Sequence, residues 1–130
     1  MNNVKVLDVT LRDGGCVIDF NFGSNYMNKI LKALESTKVN IIELGYIDNK
    51  KGSPNERTQF NNEKVIYENF LKEKSKDYEY VAMIDHGKFN VDELEQRNDK
   101  GIDGIRYSLP SFLMCHTSFA PVSDTLLSTP

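Results

Sequence analysis

Apolar residues crowd the start of the chain at Val4, Val6, Leu7 and Val9 and give way to Arg12-Asp13-Gly14-Gly15. That pattern predicts a strand followed by a polar loop. From Asn25 the period lengthens: Met27, Ile30, Leu31 and Leu34 fall at i, i+3, i+4 and i+7, one apolar stripe along a helix that ends near Thr37. Val39 to Leu44 predicts a second strand, buried on both faces and closed by Gly45, with Glu43 as the acid inside it. A loop containing Gly52, Ser53, Pro54 and Asn55 leads to a second helical stripe, Val65, Ile66, Asn69 and Phe70, running to about Ser75. Tyr80-Val81-Ala82-Met83-Ile84 predicts a third strand. Asn90, with Glu93 three positions later, has the form of a capping box opening a third helix that Gly101 ends. Gly104 to Tyr107 predicts a short fourth strand.

This β-α-β-α-β-α-β order implies a parallel sheet. The units are close in size to the ~31 residues expected when about 250 residues are shared by eight barrel units. Four such strands are either half of a (β/α)₈ barrel or part of an open doubly wound sheet, and periodicity does not choose between them.

The 130-residue length suits one domain. A net charge of −3 disfavours nucleic acid and anionic membranes as partners. The longest uncharged stretch, Tyr107 to Ser123, is interrupted by Pro110, His116 and Pro121 and does not make a membrane span. Met1-Asn2-Asn3 opens no signal peptide, and two cysteines, Cys16 and Cys115, make no disulfide framework; a cytoplasmic location is the expectation. After Ser108 the composition breaks. The last 22 residues hold one charged residue, Asp124, and ten Ser, Thr or Pro, with no stripe, cap or further strand. The chain therefore divides into an ordered region, 1–108, and an irregular tail, 109–130.

The chemistry is concentrated in Asp8-Val9-Thr10-Leu11-Arg12-Asp13-Gly14-Gly15, which sets a carboxylate, a guanidinium and two glycines at the C-terminal end of the first strand. Barrel active sites lie at that end. A carboxylate there can hold a divalent cation, and an adjacent arginine can stabilise an enolate or carboxylate oxygen. The plainer reading is a solvated loop ion pair beside a glycine turn. Glu43 is costly to bury alone, so a partner such as Arg12 or a metal-bound water is expected; a purely structural ion pair satisfies the same need.

The segment DVTLRDGG, with IELG one unit later, resembles the opening of the DRE-TIM metallolyases, the barrels related to hydroxymethylglutaryl-CoA lyase and 4-hydroxy-2-oxovalerate aldolase. The resemblance covers about residues 4–107. It implies a partial (β/α)₈ barrel that makes or breaks a C–C bond beside a carbonyl, through an enolate held by Mn²⁺ or Mg²⁺, on a small 2-oxo acid or acyl-CoA. Carried over, it makes Asp13 the first-strand metal ligand, Arg12 the enolate-stabilising guanidinium and Glu43 the second-strand acid. Asp8 matches a further family acid, though a hydrogen-bonded role fixing the loop backbone fits it better.

Two departures bear on activity. Where the synthases carry Glu-Gln, or the aldolases a histidine, this chain has Gly15, Cys16 and Val17. The family's late His-x-His pair is also missing: the two histidines are His86, beside Asp85 at the end of the third strand, and His116 in the tail. The expectation is an N-terminal half-barrel, truncated or shifted out of frame near Ser108, inactive alone and prone to self-association through open sheet edges and an exposed apolar face. The alternative is a small doubly wound binding or regulatory module using strand-end acids such as Asp13 and Asp85 for Mg²⁺ or phosphate. The usual nucleotide-binding glycine loops are absent from the sequence.

Overall fold

A computed structural model describes residues 3–52 and 56–110, together with the backbone of 118–121. The first paired strand, β1, is Leu7–Asp8, shorter than the apolar run suggests, with Val4 and Val6 largely exposed. Extended pairing nonetheless begins one residue before it, since the Val6 carbonyl accepts from the amides of Asn40 and Ile41. The segment after β1 is helical where a loop is expected. Thr10–Asp13 forms a helical turn, α1, which continues as a 3₁₀ segment over Gly14–Ile18. The Asp8 carboxylate accepts from the Thr10 amide at 2.9 Å and from its hydroxyl at 3.1 Å, and this local bond starts the turn.

Helix α2, Ser24–Glu35, buries Met27 and Leu31 from the predicted stripe. It ends where both the amides and the hydroxyls of Ser36 and Thr37 donate to the carbonyls of Ala33 and Leu34, tightening the last turn. Strand β2, Ile41–Ile47, runs through Gly45 rather than stopping there. Beside its C-terminal end lies a two-residue strand, β3 (Gln59–Phe60), that the sequence pattern does not announce. Helix α3, Glu63–Ile66, is capped by the Asn62 side chain, which accepts from the Val65 amide, and passes into a π-helical segment over Tyr67–Leu71. Strand β4 is Glu79–Asp85 and β5 is Gly104–Ser108.

The third helix expected between Asn90 and Gly101 does not form. Asn90 does cap, its oxygen accepting from the Asp92 amide and its side-chain amide meeting Glu93 in place of the expected capping box. The result is only one 3₁₀ turn, Val91–Glu93, and Leu94 is already extended. The residues from Glu95 to Lys100 are all polar, so a helix there would bury no apolar face. Asn98 instead accepts from the amides of Lys100 and Gly101 and turns the chain into β5.

The protein is thus α/β, with a sheet ordered β1-β2-β4-β5 in parallel and β3 beside β2. Strand order follows chain order. A further strand, β6 (Ser118–Pro121), pairs antiparallel with β5, so the tail expected to hold no strand contributes one and closes that edge. On one face of the sheet Ile42, Leu44, Ile47, Tyr80, Ala82, Ile84 and Ile105 meet Met27 and Leu31 of α2 and Ile66, Phe70 and Leu71 of the α3 region. This is the core, and its apolar burial is the main force holding the helices on the sheet. Val81 and Met83, on the opposite face, are also buried rather than exposed.

Candidate functional site at the strand ends

The site begins with an irregularity in β2. Glu43 stands opposite Val81 and Tyr46 opposite Met83, so three steps along β2 match two along β4. Val81 and Met83 share a face, and the extra residue therefore puts Glu43 and Tyr46 on that face too. Gly45 makes the irregularity possible: its φ is +150°, and a β-carbon there would lie 2.1 Å from the Thr58 carbonyl oxygen. Only glycine fits. Arg106 on β5 stands opposite Met83 and joins the same face.

Glu43 is fully buried and held by two arginines. Arg12 Nε donates to Glu43 Oε1 at 2.5 Å, and Arg106 Nη1 donates to Oε2 at 2.6 Å. The two guanidinium side chains are themselves only 14% and 15% exposed. Arg12 reaches Glu43 because α1 folds it back over β2, and its Nη1 also donates to Asp13 Oδ1 at 3.0 Å. The Arg12 guanidinium carbon lies 5.8 Å from the centre of the Tyr46 ring, which in turn meets Phe20 edge-on at 5.4 Å.

The electrostatics give this group two donors of fixed protonation. Burial works against the Arg12 charge, but the hydrogen bond and charge of Glu43, together with Tyr46, more than offset it and raise the pKa above its ordinary value. Burial pushes the Tyr46 phenol up as well, and the nearby Asp85 adds to the shift, so the hydroxyl stays protonated at neutral pH. Tyr46 also lines a cavity of about 220 Å³ at the ends of β2 and β4, with Phe20, Asp48, Gln59, Asp85 and Lys88. A larger cavity of about 600 Å³ lies elsewhere, between α3 and the Glu95–Ile102 loop. That one is walled by exposed charged side chains and lacks any buried, oriented donor pair, so the strand-end group is the stronger candidate.

The predicted residues separate into those brought together and those left apart. Arg12 and Glu43 are in direct contact; Asp13 joins them only through Arg12, and its own side chain is 67% exposed. Asp8 is engaged by Thr10, as its hydrogen-bonded reading expects. Cys16 is exposed on the 3₁₀ segment. His86 Nδ1 lies 2.7 Å from the Tyr107 hydroxyl, a contact separate from the Arg12 group. His116 and Cys115 lie outside the described residues. Arg106 and Tyr46 are the members that sequence reasoning missed. A signal for Arg106 was available: an arginine inside a buried strand needs an acid, and Glu43 is the other charge inside one.

Among the described residues no group of three His, Cys, Asp or Glu side chains is placed to hold a metal ion. Asp13 is one donor, already paired with Arg12, and that set does not fit a divalent cation. No described helix is long and apolar enough to cross a membrane. Comparison with protein-family models, characterised proteins and solved structures finds no match.

Proposed function

We propose that this chain is the first half of a (β/α)₈ barrel of the metallolyase type, and that Arg12 binds the oxyanion of a small carbonyl compound, a 2-oxo acid or acyl-CoA, during C–C bond making or cleavage. Support for the barrel comes from the order of the four parallel strands; β6, antiparallel on β5, is not a barrel strand and would have to leave that edge for a fifth parallel strand to pair there. A doubly wound sheet reverses direction at a switch point and keeps its first strand inside, whereas here β1 lies at the edge and β2, β4 and β5 come after it in turn. The sequence pattern DVTLRDGG…IELG supports the same assignment.

The single observation that carries the chemistry is the Arg12–Glu43 pair next to Tyr46. An enolate gains charge on one oxygen as it forms, and donors already oriented toward that position stabilise it without reorganising. Glu43 fixes the Arg12 guanidinium through Nε. The Tyr46 phenol, held neutral, accepts from the Arg12 guanidinium and helps hold it on that face. The metal expected from the resemblance would need donors beyond the described residues, and no step is assigned to it. No acid–base role is assigned to Cys16 or His86, and the chain by itself is expected to bind without turnover.

Oxalate, a stable mimic of the pyruvate enolate, tests this. Calorimetric titration of the full chain should show binding that Arg12→Lys weakens roughly tenfold, a loss of about 1.4 kcal/mol, since lysine cannot span the same two-donor geometry. Equal affinity in the two proteins, or no binding to the unmodified chain, overturns the proposal.

A further inference from the structure

The second oxygen of Glu43 is occupied from an unexpected direction. Arg106 belongs to β5, two strands away from β2, yet its Nη1 crosses β4 to reach Glu43 Oε2 at 2.6 Å. Two guanidinium groups thus divide one carboxylate, one oxygen each, at a residue with no exposure to solvent. A buried carboxylate with one arginine partner prefers to engage it with both oxygens, in two parallel hydrogen bonds. Here Arg106 holds Oε2 turned toward β5, and Arg12 meets the carboxylate at Oε1. The nitrogen that would complete a two-bond pair beside Nε is Nη2; Arg12 instead meets Glu43 through Nε, while Nη1, on the far edge of the guanidinium, donates to Asp13 at the solvent side.

We infer that Arg106 is a positioning residue for the Arg12 site: by reserving Glu43 Oε2 it keeps the Arg12–Glu43 contact single and holds the Nη side of Arg12 toward the strand-end mouth. This rests on the proposed reading of Arg12 as the oxyanion donor. Without Arg106, Oε2 loses its donor at a position sealed from solvent, so the carboxylate turns to take a second Arg12 nitrogen. The guanidinium then rotates into Glu43 and away from the carbonyl compound. Arg106 itself touches no substrate in this scheme; its effect passes through Glu43.

The experiment reads the Arg12 side chain directly. In ligand-free full-length chain with ¹⁵N-labelled arginine, Arg106→Met should shift the Arg12 Nη–H signals and slow their exchange with water, as one Nη becomes bound to a buried oxygen. Oxalate affinity should fall roughly tenfold, about 1.4 kcal/mol. Arg106→Lys, which restores a charged donor to Oε2, should return both the spectrum and the affinity most of the way to the unmodified values. A folded Arg106→Met protein with unchanged Arg12 signals overturns the inference. If Arg106→Met does not fold, Arg106→Lys decides alone: an affinity loss as large as that of Arg12→Lys counts against positioning, and near-normal affinity with an unshifted Arg12 spectrum supports it. Failure of oxalate to bind the unmodified chain removes the reading of the mouth instead, while the ligand-free spectra still report on the Arg12–Glu43–Arg106 geometry.

Discussion

The two ends of the sheet both bury charge, and they use it differently. At the N-terminal end Lys74 Nζ donates to the Gly101 carbonyl at 2.7 Å and to Asp103 Oδ1 at 2.8 Å, while Asp103 Oδ2 accepts from the Tyr80 amide at 2.9 Å. Each charge there is tied to a backbone group, so the cluster staples the chain after α3 to the starts of β4 and β5. Nearby, the Tyr80 hydroxyl donates to Glu35, which anchors the end of α2 to the same strand, and its pKa is pushed well up by burial and by that carboxylate. Toward the other end Arg12 and Asp13, just past β1, and Glu43 and Arg106, from the middle of β2 and β5, bond to one another through side chains. Charges that hold backbone specify a fold; charges that hold each other fix the direction of a donor. The proposed function places stability at one end of the parallel sheet and chemistry toward the other, the division known for (β/α)₈ barrels.

The sharpest way to break the comparison is to place a methyl group at a glycine of each end. Gly45→Ala at the mouth combines a φ of +150° with a β-carbon 2.1 Å from the Thr58 carbonyl oxygen, so strain and overlap together should cost about 3–5 kcal/mol. Gly101→Ala at the opposite end meets only Asn98 Oδ1, at 3.7 Å, and should stay within about 0.5 kcal/mol. Thermal unfolding followed by circular dichroism compares them. A Gly45→Ala protein as stable as Gly101→Ala would mean that β2 does not need its irregularity, and the shared face of Glu43 and Tyr46 would lose its basis.

Next in size is the removal of the acid from each cluster. Glu43→Gln leaves two buried guanidinium groups facing an amide, with an expected loss of about 3 kcal/mol or more. Asp103→Asn should cost less, about 2 kcal/mol, because Lys74 keeps the Gly101 carbonyl and the asparagine oxygen can still accept from Tyr80. The distinguishing readout is oxalate binding: Glu43→Gln should abolish it, and Asp103→Asn should leave it unchanged once the protein is compared under conditions where both are folded. Loss of binding in Asp103→Asn would erase the functional difference between the ends.

How much of this was legible in the sequence depends on the range of each signal. The apolar runs at Ile41 to Leu44 and at Tyr80 to Ile84 mark β2 and β4, and the stripe of Met27, Ile30, Leu31 and Leu34 marks α2, because burial on a fixed face imposes a short-range period. The Arg12–Glu43 contact was readable as a charge needing a partner. The same reasoning fails after Asn90: a capping residue starts a turn, but without an apolar face to bury, the turn is not extended into a helix. The passage of β2 through Gly45 is hidden because glycine ordinarily signals a stop, and what keeps the strand going is pairing with β3. Arg106 is legible only as a charge that needs an acid; which acid is hidden by distance, since Glu43 lies 63 positions before it and the two join only when β4 is laid between their strands.

The smallest expected effect comes from a carboxylate that belongs to neither end. Glu63, at the start of α3, is half buried and accepts from the Glu95 amide at 2.9 Å. Burial raises its pKa above the ordinary carboxylate value, partly countered by that hydrogen bond, and the nearby Glu95 charge adds to the rise. A carboxyl group that releases its proton later in the folded chain than in the unfolded one costs stability as pH rises between those two values, and the full cost persists at neutral pH. Below the unfolded value the cost vanishes. Glu63→Gln keeps an oxygen to accept from Glu95 and removes the titration. It should therefore be slightly more stable than the unmodified chain at pH 7, with the gap closing as the solution is acidified toward pH about 4, near the unperturbed glutamate value. Melting temperatures collected across that range provide the measurement, and a gap that widens on acidification would reverse the sign. Oxalate affinity should not respond to this substitution, so Glu63→Gln separates a change in stability from a change at the mouth.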